Sequence, residues 1–281
     1  MATKTTEIPT HLGLILDGNR RWAIENGMSV AQGHRRGYQN LKTVAQAALK
    51  YGVRYVSAYV FSTENWQRDQ QEVKDIMKIL KWVLRHEIKE FDKNNIRLRV
   101  IGSKAKLGAA LVTAIHDAEK ATENNTAGTL LLCLDYGGQQ EIVDAVKRIS
   151  SLGVDPSEIT ADLIAQHLYA PDVPPLDLII RTSGEKRLSN FMTWDAAYSE
   201  LSFNDKNWPE FSEADLKTAM DHYGATQRRF GKWKLLSCGG ANSYSINIRR
   251  SALNQMLRWF WLNQRVWAAV LNFINKKYYL S

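Results

Sequence analysis

Segments with the pattern of buried strands alternate with segments of helical periodicity along most of this chain. The strand patterns are Leu12–Leu16, Tyr55–Phe61, Arg97–Ile101, Leu130–Tyr136, Leu176–Ile180 and Glu200–Phe203. The helical patterns are Tyr38–Lys50, Glu72–Asn94, Leu107–Asn124, Gln139–Ser150, Ala161–Leu168 and Ser212–Phe230. Such alternation is typical of an α/β domain whose strands are joined by right-handed crossovers.

Two of the strand patterns, 130–134 and 176–180, are apolar throughout, as in a parallel sheet that is covered on both faces. We therefore predict an α/β fold over residues 1–231: a single domain with a central, mostly parallel six-stranded sheet flanked by helices. Ligands of such sheets bind outside the carboxyl ends of the strands.

The positive charge of the chain is confined to its C-terminal part. The net charge of +8 equals the eight lysines and arginines that follow residue 230, where no acidic residue occurs. Residues 1–230 carry 29 basic and 29 acidic side chains and are neutral. Residues 232–281 are thus predicted to form a separate basic, Trp-rich tail.

Composition excludes several classes of protein. No uncharged apolar run reaches the roughly 18 residues that a membrane-spanning helix needs. Residues 1–10 lack the apolar core of a signal peptide, so we expect no export. The two cysteines, Cys133 and Cys238, have no metal-ligand spacing, and a reducing cytoplasm is the expected location.

The segment Asp17–Trp22 joins the first strand pattern to a short helical pattern, Arg21–Asn26. A helix N-terminus with two neighbouring arginines, Arg20 and Arg21, is a natural anion site. Asp17 would repel a phosphate there unless a cation lies between them. The favoured ligand is therefore a phosphate ester bound with Mg²⁺.

Three more polar clusters follow strand patterns. The first, Phe61–Arg68, carries hydroxyls, an amide and a guanidinium. The second, Arg181–Phe191, has arginines spaced around a glycine, which suits a diphosphate because the guanidinium fork matches phosphate oxygens in pairs. The third, Trp194–Glu200, ends in a carboxylate that would help to hold a metal.

With these segments in view, residues 11–231 resemble the cis-prenyltransferases, the undecaprenyl diphosphate synthase family of isoprenyl transferases. The motifs that carry the resemblance are HxxxxxDGNRRW, FSTENWxR, YGG at 136–138, RTSGExRLSNF and the ending QRRFG at 227–231. It implies an Mg²⁺-dependent transferase of isoprenoid biosynthesis that condenses isopentenyl diphosphate with an allylic diphosphate, such as farnesyl diphosphate, to a polyprenyl diphosphate of the undecaprenyl carrier-lipid type. The alternative is a non-catalytic subunit of the same fold that serves membrane recruitment or partner binding.

The resemblance also implies roles for individual residues. Asp17 would bind Mg²⁺ and assist departure of the allylic diphosphate, and Glu200 would be a second metal contact, across the interface of a homodimer. Asn65 is the proton acceptor that the family suggests, although an amide is a poor base and the leaving pyrophosphate is the alternative. The substrate-binding residues are Gly18, Asn19, Arg20, Arg21, Trp22, His34, Ser62, Thr63, Glu64, Trp66, Arg68, Arg181, Arg187, Leu188 and Ser189.

Some assignments have a plain structural alternative. His34 fits a satisfied structural histidine, and Trp22 and Trp66 fit core residues. Val30 stands where the family often has an arginine, so one phosphate contact is either missing or supplied by Arg35 or Arg36. Product chain length is not predicted, because Val60, Leu134 and Gly128 alter the expected tunnel in opposite directions.

The tail segment 251–280 has the pattern of an amphipathic helix whose tryptophans are flanked by cations. This pattern suits either peripheral contact with a membrane surface or packing on the body or on a dimer partner. Nucleic-acid binding is not expected, because the helix lacks an exposed basic stripe.

Overall fold

The computed structural model describes residues 7–226, which form one α/β unit. Its six strands are β1 (His11–Ile15), β2 (Tyr55–Ser62), β3 (Ile96–Ile101), β4 (Gly128–Tyr136), β5 (Leu178–Arg181) and β6 (Glu200–Phe203). Its helices are α1 (Asn19–Glu25), α2 (Val30–Lys50), α3 (Gln70–His86), α4 (Ile88–Lys93), α5 (Ala109–Ala121), α6 (Gly138–Ser151), α7 (Ala161–Ala165) and α8 (Glu213–Ala225).

The strands form a single sheet in the order β3-β4-β2-β1-β5-β6, and every neighbouring pair is parallel. The prediction of a six-stranded, mostly parallel sheet is thus confirmed and sharpened. The first strand, β1, lies in the interior of the sheet, and the later strands lie on both sides of it. Loops from different parts of the sequence therefore meet at the carboxyl ends of the central strands.

Both faces of the sheet are buried, which explains the uninterrupted apolar strands. In β4, Leu130, Leu132 and Leu134 point into a core shared with α2, α3, α5 and α8. The alternate residues Leu131 and Cys133 enter a second core on the opposite face, which includes Phe191 and Met192 from the segment after β5. The period of two along a strand therefore serves two apolar layers.

Local sequence sets most of the helix ends. Ser29 and Gln32 form a reciprocal capping box that starts α2 eight residues earlier than the predicted Tyr38, so His34 lies inside this helix. The predicted helix Glu72–Asn94 is wrong in one respect, because it is broken at Glu87 into α3 and the short α4. The tail and the end of the predicted helix 212–230 lie outside the described residues.

Candidate active site

Asp17 lies just beyond the carboxyl end of β1, beside the loop that follows β5. Its Oδ2 accepts a hydrogen bond from Nη2 of Arg181 at 2.8 Å, and its Oδ1 lies 3.7 Å from Nη2 of Arg21. Thr182 fixes the backbone at this point, since its hydroxyl donates to the Asp17 carbonyl at 2.7 Å. The Asp17 carboxylate thus connects the carboxyl end of β1 to that of β5, which lie side by side because the two strands are paired in the sheet.

The turn that starts α1 depends on a glycine. Gly18 adopts φ 101°, and an added Cβ would lie 2.4 Å from Oδ1 of Asn207 and 2.8 Å from Oγ of Ser183. Among the residues that the structure describes, no side chain caps the first turn of α1, and this turn holds no acidic residue. The backbone N–H groups at this helix start therefore remain open to an anionic ligand.

Arg181 is the last residue of β5 and belongs to the rim, the group of polar residues around the carboxyl ends of the strands. Only 5% of its side chain is exposed. Besides Asp17, its Nη1 donates to the Arg187 carbonyl at 2.5 Å and to Oγ of Ser189 at 2.8 Å. Its Nε is buried and has no hydrogen-bond partner in the described part of the chain. Arg181 therefore orders the loop 182–191 around itself and keeps one donor unsatisfied.

Glu185 links the outer cations of the same loop. Its Oε2 accepts from Nη1 of Arg187 at 2.5 Å, and its Oε1 lies 3.6 Å from Nη2 of Arg21. Arg21 also donates to the Ser183 carbonyl at 3.0 Å. Arg187 and Arg21 are about half exposed, so both can reorient towards a ligand.

A second charged cluster surrounds Glu72 on α3. This carboxylate is 8% exposed and accepts from Arg68 at 3.0 Å and from Arg20 at 3.4 Å. His34 Nε2 lies 3.2 Å from Oε1 of Glu72. Burial lowers the pKa of His34, although the hydrogen bond to Glu72 opposes that shift. Three predicted site residues from separate segments thereby converge on one buried acid.

The turn after β2 supplies the third group of polar residues. Asn65 Oδ1 accepts from the Ser62 backbone N–H at 3.0 Å, and Glu64 accepts from Nδ2 of Asn190 at 3.0 Å. Trp66 packs edge-on against Phe61, with ring centroids 5.0 Å apart. Trp66 also donates to the buried Asp135 at 2.6 Å, which agrees with the core alternative for this residue.

These polar groups surround the mouth of a cavity of about 570 Å³ that runs between the sheet and helices α2, α3 and α4. Nine predicted site residues line it: Asp17, Asn19, His34, Ser62, Glu64, Asn65, Arg68, Arg181 and Ser189. Behind the mouth the wall is largely apolar, with Leu41, Leu80 and Val83 from the helices and Leu98, Leu130 and Leu132 from the strands. One end of the cavity therefore suits an anion and the other a hydrocarbon.

The remaining predicted residues lie outside the cavity lining. Arg20, Arg21 and Arg187 connect to it through Glu72, Asp17 and Glu185. Gly18 and Thr63 lie in adjoining turns, Trp22 lies within α1, and Leu188 packs on the second core. Sequence analysis did not include Glu72 among the site residues, because an acid in the first turn of a helix such as α3 has the pattern of an ordinary surface residue.

Glu200 is not brought to Asp17 within one chain. It is the first residue of β6 and pairs with Leu178, which in turn pairs with Leu12. Asp17 lies five residues beyond that level, or about 16 Å along the strands. Among residues 7–226 no group of three acidic, histidine or cysteine side chains could hold a metal. A shared role for Glu200 and Asp17 therefore requires a second subunit.

The donor set at Asp17 nevertheless fits Mg²⁺. This ion takes one or two carboxylates and completes its octahedron with water and substrate phosphate. Asp17 is 28% exposed, and within residues 7–226 its Oδ1 makes no hydrogen bond, only the 3.7 Å approach of Arg21. One carboxylate oxygen is thus available for a cation that arrives with a diphosphate.

Comparison with known proteins agrees with this geometry. The Prenyltransf family model, that of undecaprenyl diphosphate synthase, matches residues 15–231. The chain belongs to this family. An isoprenyl transferase of Zymomonas mobilis is 43% identical over 228 residues, which cover 80% of this chain and 92% of the relative. The decaprenyl diphosphate synthase of Mycobacterium leprae is 39% identical over 229 residues, covering 80% and 77% of the two chains.

A solved structure shares the fold. Lavandulyl diphosphate synthase from Lavandula x intermedia, crystallised with dimethylallyl diphosphate, has a TM-score of 0.77 and 34% identity, over 80% of this chain and 99% of that one. This member of the undecaprenyl diphosphate synthase family is therefore an enzyme that transfers prenyl groups, as the resemblance implied. Among residues 7–226, no helix is long and apolar enough to cross a membrane.

Proposed function

We propose that this enzyme condenses isopentenyl diphosphate with an allylic diphosphate, farnesyl diphosphate above all, and repeats the step to form a cis-polyprenyl diphosphate. The observation that carries the proposal is the cation-rich rim at Asp17 and Arg181, which opens directly into the apolar cavity. A diphosphate held at the rim would place its hydrocarbon in that cavity. The dimethylallyl diphosphate bound by the lavandulyl relative is an allylic diphosphate, which supports this substrate class.

The chemistry follows from the charges. The allylic C–O bond breaks and releases pyrophosphate, a new C–C bond forms to isopentenyl diphosphate, and one proton leaves the adduct. Negative charge grows on the leaving group, so preorganised cations stabilise the transition state more than the ground state. Arg20, Arg21 and Arg68 with the backbone at Gly18 and Asn19 would hold the allylic diphosphate, while Arg181, Arg187 and Ser189 would hold the isopentenyl diphosphate.

Asp17 would hold Mg²⁺, with Glu200 of a second subunit as an additional ligand. Bound Mg²⁺ supplies neutralisation of the phosphate charges. Asp17 also orients Arg181 through their 2.8 Å hydrogen bond, a task that needs no metal. Ser62, Glu64 and His34 line the pocket, and Thr63, Trp22, Trp66 and Leu188 would support it from positions outside the lining.

Asn65 would orient substrate rather than remove the proton. Its amide oxygen already accepts a hydrogen bond from the Ser62 N–H at 3.0 Å, and an amide is a poor base. The leaving pyrophosphate, produced beside the adduct, is the stronger base. The NH₂ group of Asn65 donates no hydrogen bond within the described part of the chain, so it can donate to a phosphate oxygen.

The test is incubation of the full chain with farnesyl diphosphate, labelled isopentenyl diphosphate and Mg²⁺. Label is expected to enter a lipid-extractable polyprenyl product, and chelation of the metal is expected to abolish incorporation. Absence of any such product would favour the non-catalytic subunit, for which the charged rim and the open cavity have no physical use.

We further propose a cytoplasmic homodimer whose tail contacts the membrane surface, because the product is a lipid. Flotation with anionic liposomes would compare the full chain with a chain ending at Gly231. The full chain is expected to float and the shortened chain to stay in the dense fraction. Equal partitioning would instead assign the tail to packing within the protein.

A further inference from the structure

The deep wall of the cavity contains two polar residues on successive turns of α2. Tyr38 and Lys42 line the cavity four residues apart and therefore share one helix face. Lys42 lies eight residues beyond His34 at the mouth, or about 12 Å along the helix. The aliphatic and aromatic neighbours at this depth include Leu84, Ile88 and Phe91. A lysine in such a wall needs a partner for its charge.

Lys42 finds that partner in two carboxylates at the junction of α3 and α4. Its Nζ donates to Glu87 at 2.9 Å and to Glu90 at 2.6 Å. The two glutamates are absent from the cavity lining, so the ammonium group is drawn outward while the aliphatic stem of Lys42 closes the wall. The hydrogen bond to Glu90 raises the pKa of Lys42.

The carboxylates sit where the helical wall is interrupted. Glu87 is the single residue between α3 and α4, and Glu90 lies in the first turn of the six-residue α4. Ile88 and Phe91 of α4 line the cavity between and beside them. Any displacement of α4 would therefore move two wall residues, and the bonds from Lys42 oppose that displacement.

Tyr38 contributes to the same corner. Its hydroxyl is buried, and no residue between 7 and 226 forms a hydrogen bond with it. Burial is the main reason that the pKa of Tyr38 is raised, and the nearby charges of Glu87 and Glu90 add to it. A polar corner of this kind is a poor surface for a hydrocarbon.

We propose that Lys42, Glu87 and Glu90 form a clasp that closes the cavity at the α3–α4 junction and limits the length of the prenyl chain. The inference rests on the proposed function, since it concerns the chain that grows in that cavity. A growing hydrocarbon meets the clasp and can pass only if α4 moves away from α2. That movement separates Lys42 from both carboxylates and displaces the wall residues Ile88 and Phe91, so elongation stops when further burial of hydrocarbon no longer compensates for displacing α4.

The first experiment measures product length in variants of the clasp. Lys42→Met keeps the length of the side chain but removes its charge, and it leaves Glu87 and Glu90 to repel each other. We expect its products to be longer than those of the wild type by one or more isoprene units. The charge exchange Lys42→Glu with Glu90→Lys is expected to return the distribution towards the wild type. Products of unchanged length in Lys42→Met, or no return in the exchange variant, would overturn the proposal.

A matched control is available on the same wall. Lys78 of α3 is 74% exposed and pairs with Asp75 at 3.4 Å, outside the cavity. Lys78→Met removes the same charge from the protein, and we expect wild-type product lengths. A lengthening as large as that of Lys42→Met would attribute the effect to net charge and overturn the clasp.

A second measurement does not depend on catalysis. Alkyl monophosphates of increasing chain length are added to the wild type and to Lys42→Met, and the melting temperature is recorded. In the wild type the stabilisation is expected to stop rising at a limiting chain length, and in Lys42→Met it is expected to continue to longer chains. An identical limit overturns the clasp. A wild type that binds these phosphates but forms no polyprenyl product would overturn the proposed function alone.

Discussion

At the scale of single residues, the site is organised by acids that hold cations in place. Asp17 orients Arg181 and approaches Arg21, and Glu72 gathers Arg20, Arg68 and His34. Without these carboxylates the guanidinium groups would repel one another and spread into solvent. Arg181 and His34 are therefore held in place before a diphosphate binds, which reduces the reorganisation needed in the transition state, whereas the more exposed arginines can still turn towards the ligand.

Replacement of Asp17 tests the first of these acids. We expect Asp17→Ala to lower kcat by about 10³-fold or more, since a preorganised charged group and the proposed metal ligand are lost together. The fold is expected to persist, because Arg181 keeps its bonds to the Arg187 carbonyl and to Ser189. Turnover and circular dichroism check the two parts. The control is Asp221→Ala, because Asp221 is exposed and pairs with Lys217. Unchanged turnover in Asp17→Ala would refute the role of Asp17.

Glu72 is expected to act as a positioning residue. Glu72→Gln removes the charge that holds Arg68 and Arg20, so we expect kcat/KM to fall about 10-fold, or ~1.4 kcal/mol, mostly through KM for the allylic diphosphate. Because Glu72 raises the pKa of His34 against burial, the variant should lower that pKa further, which NMR titration measures. Asp75→Asn on the same helix is the control. An unmoved His34 pKa would contradict the contact.

At the scale of elements, the close approach of α1 and α2 positions the arginine pair. Gly33 and Gly37 of α2 face Asn19 at the start of α1, and an added Cβ at Gly33 would lie 2.4 Å from the Asn19 carbonyl oxygen. Only glycine permits this approach, so α2 sets where Arg20 and Arg21 stand. The site thus depends on packing between two helices that contribute few of its atoms.

Gly33→Ala tests that packing. The new Cβ meets backbone rather than a flexible side chain, so we expect a loss of about 1–3 kcal/mol in the free energy of unfolding and a lower kcat/KM as α1 shifts. Gly108→Ala is the matched control, because a Cβ added at Gly108 would meet no atom within 4 Å and its φ of −65° suits any residue. Denaturant unfolding and kinetics compare the two, and equal stability would show that α1 adapts without cost.

The segment between β5 and β6 carries a pH-dependent element. Burial, followed by the charge of Glu141, raises the pKa of Asp195 to about 7. Between about pH 4 and 7 the folded protein holds a proton that the unfolded chain has lost, so this group makes stability fall as pH rises through that window. As the pH rises from about 4 to 7, we expect the melting temperature of Asp195→Asn to fall less than that of the wild type.

Asp92→Asn is the control for that titration, because Asp92 is exposed. Its melting temperature is expected to change with pH as that of the wild type does. A wild-type slope retained in full by Asp195→Asn would assign the pH dependence to another group. The measurement needs only calorimetry or thermal melts at constant ionic strength, since salt screens exposed charges far more than buried ones.

At the scale of the whole molecule, the sheet places the anion site at one rim and leaves β6 as an edge. Leu201 of β6 is 46% exposed and Tyr198 beside it is 73% exposed. Glu200 lies on the same strand, remote from Asp17 of its own chain. An exposed apolar edge that carries Glu200, the metal contact proposed above, is the arrangement expected where a second copy docks.

Solution mass tests this arrangement. The chain has a mass of 32.0 kDa, and light scattering is expected to give twice that value. Leu201→Glu is expected to weaken the dimer at least 10-fold, because it places a charge in an apolar interface. Leu152→Glu, at a residue 66% exposed on another part of the surface, is the control. A dimer unaffected by Leu201→Glu would place the interface elsewhere.

Much of this protein is decided locally. The apolar runs of β4 and β5 and the glycine turn at Gly18 each act within a few residues, so the alternating elements and the parallel sheet were predictable. The clusters after β1, β2 and β5 were predictable as one site for the same reason, since parallel strands end at a common rim.

Other features depend on residues far apart in sequence. Nothing near Glu72 in the chain indicates that Arg20 and His34 will converge on it, and nothing near Glu87 shows that α3 ends where Lys42 arrives from α2. Charge pairing across helices is decided by which faces the core burial brings together. Periodicity along one segment reports burial of that segment, whereas the partner of a charged side chain is set only when separate elements pack.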